Sequence, residues 1–153
     1  MSLLSTEDRR SLEYRLRKEM KRDVTINLFT VRSAGILLVP GRECPTCPQA
    51  LELMEEVTAL SPKLHLEVFD FYTQTQEIQT RGIDRVPCIT LESEGSSGQQ
   101  SRFYGIPAGY EFIAFLEGIT SLSRDVSLLR VPTRKILRKL EQNVRIQVFV
   151  TPG

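Results

Sequence analysis

The sequence predicts an α/β protein whose central β-sheet is mixed and flanked by helices. Residues 24–30 and 64–68 alternate apolar and polar side chains, as strands do, and a helical pattern over residues 50–60 separates them. A strand–helix–strand order calls for parallel strands joined by a right-handed crossover. Further along, residues 86–91 and 101–105 flank a turn rich in glycine and serine, which predicts an antiparallel hairpin. Parallel and antiparallel pairs together predict a mixed sheet.

The composition is that of an ordinary globular protein with no strongly charged partner. The chain has 153 residues, of which 41% are hydrophobic and 25% charged, and its net charge is +1. We therefore expect neither nucleic acid nor an anionic membrane surface as a partner. No apolar run approaches the roughly 20 residues that span a bilayer. The charged N-terminus also lacks the apolar stretch of a signal peptide, so a cytoplasmic location is expected.

The N-terminal segments predict a helix followed by two strands. A helix is expected over residues 6–21, with Ser5 as its N-cap and acidic residues in its first turn. Residues Val24–Thr30 are expected to form a half-buried strand. After a turn, the apolar run Ile36–Val39 is expected to be fully buried, and we favour it as the central strand because it leads directly into a CxxC motif.

The middle of the chain continues the alternation of helices and strands. The helix after the CxxC motif is expected to end at Ser61, because a residue before proline disfavours the helical region. The next strand places Leu64, Leu66 and Val68 on one face, with His65 on the other. A short polar helix over residues 73–81 is then closed by Gly82 in the C′ position. The apolar face of the CxxC helix consists of Ala50, Leu51, Met54, Val57 and Leu60.

The C-terminal part predicts a hairpin, a helix, a linker and the start of another unit. A helix is expected to begin at residues 107–109, and residues 121–131 form a polar linker without periodicity. Pro132 opens a further helix, and Val144–Val150 alternates as one more strand. The apolar face of the first of these helices consists of Phe112, Ile113, Phe115, Leu116 and Ile119.

The motif Cys44-Pro45-Thr46-Cys47 is the strongest chemical feature of the chain. A strand, a tight turn and a helix that opens with CxxC are the context in which this motif indicates dithiol redox chemistry. The alternatives are half of a zinc site or two structural thiols. Zinc requires four ligands, and beyond the pair the chain offers only Cys88 and the single histidine, His65. Cys88 is expected to be a small buried core residue.

Five segments, together with the order of elements, carry a resemblance to a known family: Leu4–Arg10, Gly41–Cys47, Asp84–Pro87, Arg102–Phe112 and Val144–Pro152. The chain resembles the thioredoxin and glutaredoxin fold. More specifically, it resembles the protein disulfide oxidoreductases of thermophilic archaea and bacteria, which contain two tandem thioredoxin-like units. The resemblance implies a thioredoxin-like domain over residues 1–120, including the additional N-terminal helix. It also implies an incomplete second unit over residues 132–153 that ends before its own CxxC.

The resemblance also implies a function. Cys44 and Cys47 are the expected catalytic pair of a thiol–disulfide oxidoreductase acting on protein disulfides. Substrate-binding roles fall to Pro45, Thr46, Val86 and Pro87, with a cis Val86–Pro87 peptide facing the CxxC motif and the Val86 backbone pairing with an extended substrate.

No bound cofactor is implied beyond the redox-active disulfide, and electrons come from an external thiol or a reductase of the thioredoxin-reductase type. The incomplete second unit, with its strand Val144–Val150, is expected to pair with the first unit or to form a homodimer. Two alternatives stay open: a glutathione-dependent glutaredoxin-type enzyme and a non-catalytic interaction module.

Overall fold

The computed structural model describes residues 4–32, 40–95 and 101–150. In these ranges, none of the helices has the length and apolar composition needed to cross a membrane. The elements in chain order are α1 (Thr6–Glu19), β1 (Val24–Thr30), α2 (Cys47–Thr58), β2 (Leu64–Asp70), α3 (Thr75–Thr80), β3 (Cys88–Ser93), β4 (Arg102–Tyr104), α4 (Tyr110–Arg124) and α5 (Val131–Leu137).

The sheet is mixed, as the sequence predicts. Its strand order is β2-β1-β3-β4, in which β1 and β2 run parallel and the β1–β3 and β3–β4 pairs are antiparallel. The parallel pair is connected through α2, as a parallel crossover requires.

Strand β1 is one of two interior strands and pairs with β2 on one side and β3 on the other. The expectation that Val24–Thr30 is half-buried is wrong, because six of its seven residues are buried. Paired strands and covering helices enclose it, so a polar residue such as Asn27 is buried too. The run Ile36–Val39, favoured from the sequence as the central strand, lies outside the described residues.

The two faces of the sheet carry cores of different size. Helices α1, α2 and α4 bury the larger core, and α3 covers a small cluster on the other face. The small cluster consists of Phe29, Ile78, Ile83 and Cys88. Residues of the larger core include Leu16, Ile26, Leu28, Met54, Val57, Ile89, Phe115 and Ile119.

Several helix boundaries differ from those predicted for the first half of the chain. Helix α1 ends at Glu19 and α2 at Thr58, where the Thr58 hydroxyl donates to the Met54 carbonyl at 2.6 Å. The chain continues from there to Ser61 in turns. Helix α3 closes as expected, with Gly82 at φ +60° and the Ile83 N–H bonded to the Ile78 carbonyl.

Helix α4 begins and ends later than predicted. It starts at Tyr110 and extends to Arg124, so the first four residues of the predicted linker are helical. Ser123 is fully buried there and bonds to the backbone of residues 21–22. Ile113, predicted to lie on the apolar face, is 54% exposed, because it falls outside the stripe formed by residues 112, 115, 116 and 119.

The C-terminal part does not form the predicted strand. In the described range up to residue 150, Val144–Val150 has no strand pairing and is exposed throughout. Helix α5 does begin with Pro132 in its first turn, but none of its residues is buried. Alternating apolar residues form a strand only where a neighbouring strand pairs with them, and this segment pairs with none of the described strands.

Candidate active site

The CxxC motif forms a disulfide at the start of α2. The Cys44 and Cys47 sulfurs are bonded, with their Cα atoms 5.4 Å apart. Cys47 is the first residue of the helix, and the preceding turn contains Gly41 at φ +82°, a conformation that suits glycine. Pro48 lies in the first helical turn, where a missing N–H leaves no bond unmade. The sequence therefore places the motif correctly.

The two sulfur-bearing residues differ in exposure. Cys44 is half-buried and lies before the helix, whereas Cys47 is only 1% exposed. Pro45 and Thr46, which connect them, are both exposed. A substrate that approaches from solvent therefore meets Cys44 first.

A backbone N–H contacts the buried sulfur. Val31, the residue directly after β1, donates its amide to Cys47 Sγ at 3.4 Å. The next residue, Arg32, donates its own amide to Asp70 Oδ2 at 2.9 Å. Asp70 is the last residue of β2, so the carboxylate joins the ends of the two parallel strands beside the disulfide.

The second oxygen of Asp70 organises the following turn. Oδ1 accepts from the Tyr72 N–H at 3.0 Å, the Thr73 N–H at 2.9 Å and the Thr73 hydroxyl at 3.1 Å. Burial of this carboxyl opposes its ionisation, but the hydrogen bonds from Arg32, Thr73 and Tyr72 outweigh burial and lower the pKa of Asp70. We refer to Asp70 with these four bonds as the Asp70 clip.

The same turn contacts the residues before Cys44. The Arg42 guanidinium lies over the Tyr72 ring, 4.6 Å from its centroid, which is a cation–π distance. Arg42 precedes Cys44 by two residues, and the sequence predicts that its charge favours a Cys44 thiolate while Glu43 opposes it. The clip thus includes Arg32, whose neighbour Val31 contacts Cys47, and Tyr72, which contacts Arg42.

The Val86–Pro87 segment lies at this edge of the sheet, and its peptide bond is cis, as expected. Cys88, the first residue of β3, pairs with Phe29, two residues before Val31. Neighbouring strands lie about 4.8 Å apart, so the register brings the residues before Cys88 alongside the chain that contacts Cys47. The strand predicted to start at Val86 starts instead at Cys88, after the proline that lacks an N–H.

The sequence does not predict the cluster of three polar side chains that lies next to this segment. The Tyr104 hydroxyl donates to Asp84 Oδ1 at 2.9 Å, and Arg85 bonds Asp84 while its guanidinium lies over the Tyr104 ring. Hydrogen bonds from Arg85 and Tyr104 lower the pKa of Asp84. Burial, together with the bond to Asp84, raises the pKa of Tyr104. These contacts hold the chain segment that leads into Val86.

Cys88 and His65 lie near opposite ends of the sheet. Cys88 is a buried core residue, as predicted, and burial raises the pKa of its thiol to about 12. His65 is exposed and bonds Asp23 near the other end of the sheet. In the described ranges, no group of three or more histidine, cysteine and acidic residues is arranged to hold a metal.

The sequence analysis does not single out Asp70 or Val31, because the sequence signals for them are local and weak. Asp70 ends a strand and precedes Tyr72 and Thr73, and an aspartate whose side chain accepts from N–H groups two and three residues on is a common turn pattern. Nothing in that pattern indicates the bond to Arg32, which depends on the strand register. The Val31 amide has no sequence signal, because every residue except proline has one.

No protein-family model matches this sequence, and none of the curated proteins compared with it is a significant match. Solved structures do match. A protein disulfide oxidoreductase from Aeropyrum pernix is 30% identical, with a TM-score of 0.70 over 89% of this chain and 55% of that protein. An alkylhydroperoxide reductase from Enterococcus faecalis is 19% identical, with a TM-score of 0.71 over 90% of this chain and 61% of that one.

An N-terminal domain structure of the same Enterococcus faecalis protein gives a TM-score of 0.68 at 19% identity, over 86% of this chain and 58% of that domain. The chain therefore spans only 55–61% of the length of these three structures. The shared part comprises the mixed four-stranded sheet with its flanking helices. The chain is therefore folded as a thioredoxin-like unit with an N-terminal helix, and its CxxC motif forms a disulfide.

Proposed function

We propose that the protein is a thiol–disulfide oxidoreductase that exchanges its Cys44–Cys47 pair with disulfides of other proteins. The observation that carries the proposal is the pairing of a half-buried Cys44 with a buried Cys47 at the start of α2. Dithiol enzymes need one sulfur that a substrate can reach and a second that stays protected until it resolves the intermediate. The similarity to a protein disulfide oxidoreductase supports the same activity.

In the proposed reaction, the reduced protein transfers two electrons to its substrate. The Cys44 thiolate attacks one substrate sulfur, a Cys44–substrate disulfide forms, and the other substrate sulfur leaves as a thiolate. Cys47 then loses its proton to water and attacks Cys44 Sγ. The Cys44–Cys47 bond forms, the second substrate sulfur leaves, and the protein is oxidised. An external thiol or a reductase of the thioredoxin-reductase type restores the dithiol, so the proposal requires no bound cofactor.

The surroundings of Cys44 suit a thiolate. A free cysteine has a pKa of about 8.5 and is mostly protonated at pH 7. Cys44 lies just before α2, at the positive end of the helix dipole, which favours an anion. The Arg42 guanidinium, held on Tyr72, adds positive charge beside the motif.

An extended substrate segment fits beside the motif. We assign the hydrogen bonds to the substrate backbone to Val86, which Pro87 follows in the same binding segment. The exposed Pro45 and Thr46 would contact the substrate near its reacting sulfur. The contacts among Asp84, Arg85 and Tyr104 hold the chain that leads into Val86. The proposed partners are therefore proteins that present a disulfide in an extended segment, together with an electron-donor reductase.

The test is a redox titration. Samples equilibrated in dithiol buffers of increasing reducing strength are alkylated, and labelled cysteines are counted by mass. We expect a single two-electron transition at Cys44 and Cys47, with Cys88 labelled only after unfolding. A midpoint of about −270 mV indicates a reductant, and a midpoint of about −120 mV indicates an oxidant.

The controls are Cys47→Ser, which should trap a mixed disulfide with substrate, and Cys44→Ser, which should form none. If both cysteines resist alkylation until a chelator is added, the pair holds a metal and the proposal fails.

A further inference from the structure

We propose that the Val31 backbone N–H stabilises the thiolate that forms on Cys47 during resolution, and that Asp70 is the positioning residue for this amide. The inference deepens the proposed function and rests on it. It starts from two consecutive amides: Val31 donates to Cys47 Sγ at 3.4 Å, and Arg32 donates to Asp70 Oδ2 at 2.9 Å.

The need for such a donor follows from the burial of Cys47. A residue that is 1% exposed cannot rely on water to solvate a negative sulfur, and burial in apolar surroundings disfavours the charged form. Yet Cys47 must pass through a thiolate to attack Cys44 Sγ. An N–H donor to an anion forms a stronger bond than to a neutral acceptor, so the Val31 amide favours the attacking state over the resting thiol.

The geometry also explains why the amide stays in place. Val31 and Arg32 follow β1 and are no longer fixed by the strand ladder. Asp70 lies at the end of the neighbouring strand, where its Oδ2 accepts from Arg32 and its Oδ1 accepts from Tyr72 and Thr73. The carboxylate thereby ties the residue after Val31 to β2.

This division of bonds makes Asp70→Asn a selective variant. An asparagine whose oxygen replaces Oδ1 keeps all three bonds of the turn, and its NH₂ group then faces the Arg32 N–H, donor against donor. The turn is preserved, and the bond from the Arg32 N–H to the side chain of residue 70 is lost. Thr73→Val is the matched control, because it removes one bond to Oδ1 and leaves the Arg32 link intact.

The experiment measures the two chemical steps separately. Reduced protein is mixed with a cyclic peptide closed by one disulfide, quenched with acid at intervals, and the mixed disulfide is quantified by mass. In Asp70→Asn we expect the mixed disulfide to persist about tenfold longer, because a charge-assisted bond is lost from the attacking state. The first attack, measured in a Cys47→Ser background, should be unchanged, and Thr73→Val should resolve at the normal rate.

Resolution at the normal rate in a folded Asp70→Asn variant overturns the inference. If the unsubstituted protein forms no mixed disulfide and reduces no peptide, the proposed function itself fails. A second measurement does not depend on the Asp70 variant folding. In a Cys44→Ala protein, the Val31 amide proton followed by NMR should shift as Cys47 ionises, and an unresponsive amide overturns the inference as well.

Discussion

The carboxyl group of Asp70 stabilises the folded protein more when it is ionised than when it is protonated. Its hydrogen bonds lower its pKa below the ordinary value of 3.8. Because the folded pKa is the lower one, its contribution is complete above pH 3.8 and is lost as the pH falls through the folded pKa. We expect Asp70→Asn to reduce the free energy of unfolding by about 1–3 kcal/mol at pH 7, and by less in strong acid. Urea unfolding of both proteins at pH 7 and in strong acid measures the two differences in free energy.

Asp23→Asn is the control for that comparison. Asp23 is an exposed carboxylate that bonds His65 near the opposite end of the sheet, and exposed pairs contribute about 0–1 kcal/mol. An equal loss of stability in both variants would mean that the Asp70 clip has no special role in folding.

At this scale the sequence predicts the disulfide and the cis peptide better than the contacts around them. The Cys44–Cys47 pair is recognisable because its spacing has a chemical meaning, and the cis Val86–Pro87 bond is implied by the resemblance to thioredoxins. The Val31 amide and Asp70 depend on which residues the strand register brings together. A strand register depends on two segments that are far apart in the sequence, so no local pattern can predict it.

Near its C-terminal end, helix α4 contacts the residues before β1 through the hydroxyl of Ser123. Ser123 Oγ accepts from the Lys21 N–H at 3.0 Å and the Arg22 N–H at 3.1 Å, in a fully buried position. We expect Ser123→Ala to lower the free energy of unfolding by about 1–3 kcal/mol, because the part-buried bonds from the Lys21 and Arg22 N–H groups to the hydroxyl are lost. Thermal and urea unfolding of the variant measure the change.

The matched control is Ser121→Ala, two residues earlier on the same helix. Ser121 is only partly buried and donates to the Val126 carbonyl. Its loss should cost less than about 1 kcal/mol, since water can replace the hydroxyl. If both alanine variants behave alike, α4 is not anchored through Ser123.

The elements that periodicity predicts correctly are those whose partners are present. Strands β1 and β2 and helix α2 pack against one another, so the apolar positions that their patterns assign to the core are buried or partly buried. The predictions for Ser121–Arg124 and Val144–Val150 fail for opposite reasons. In the first segment the polar Ser123 is buried and hydrogen-bonded, and the second segment is apolar yet pairs with no described strand.

For the molecule as a whole, we propose that the apolar C-terminal segment forms a homodimer. Apolar residues are exposed along residues 131–150, none of which is buried. We expect deletion from Val131 onward to change the free energy of unfolding by no more than about 0.5 kcal/mol, because no core contact is lost. In size-exclusion chromatography with light scattering, the full chain should be a dimer and the shortened chain a monomer. A monomeric full chain contradicts the proposal.

The composition of Val144–Val150 has a further consequence for handling the protein. The seven residues include five β-branched or aromatic side chains and one charge, with no proline or glycine, and all are exposed. Short segments of this kind stack readily into cross-β assemblies. Concentrated protein whose segment stays uncovered will tend to form fibrils from this end, and the thioredoxin-like unit will be carried into them still folded.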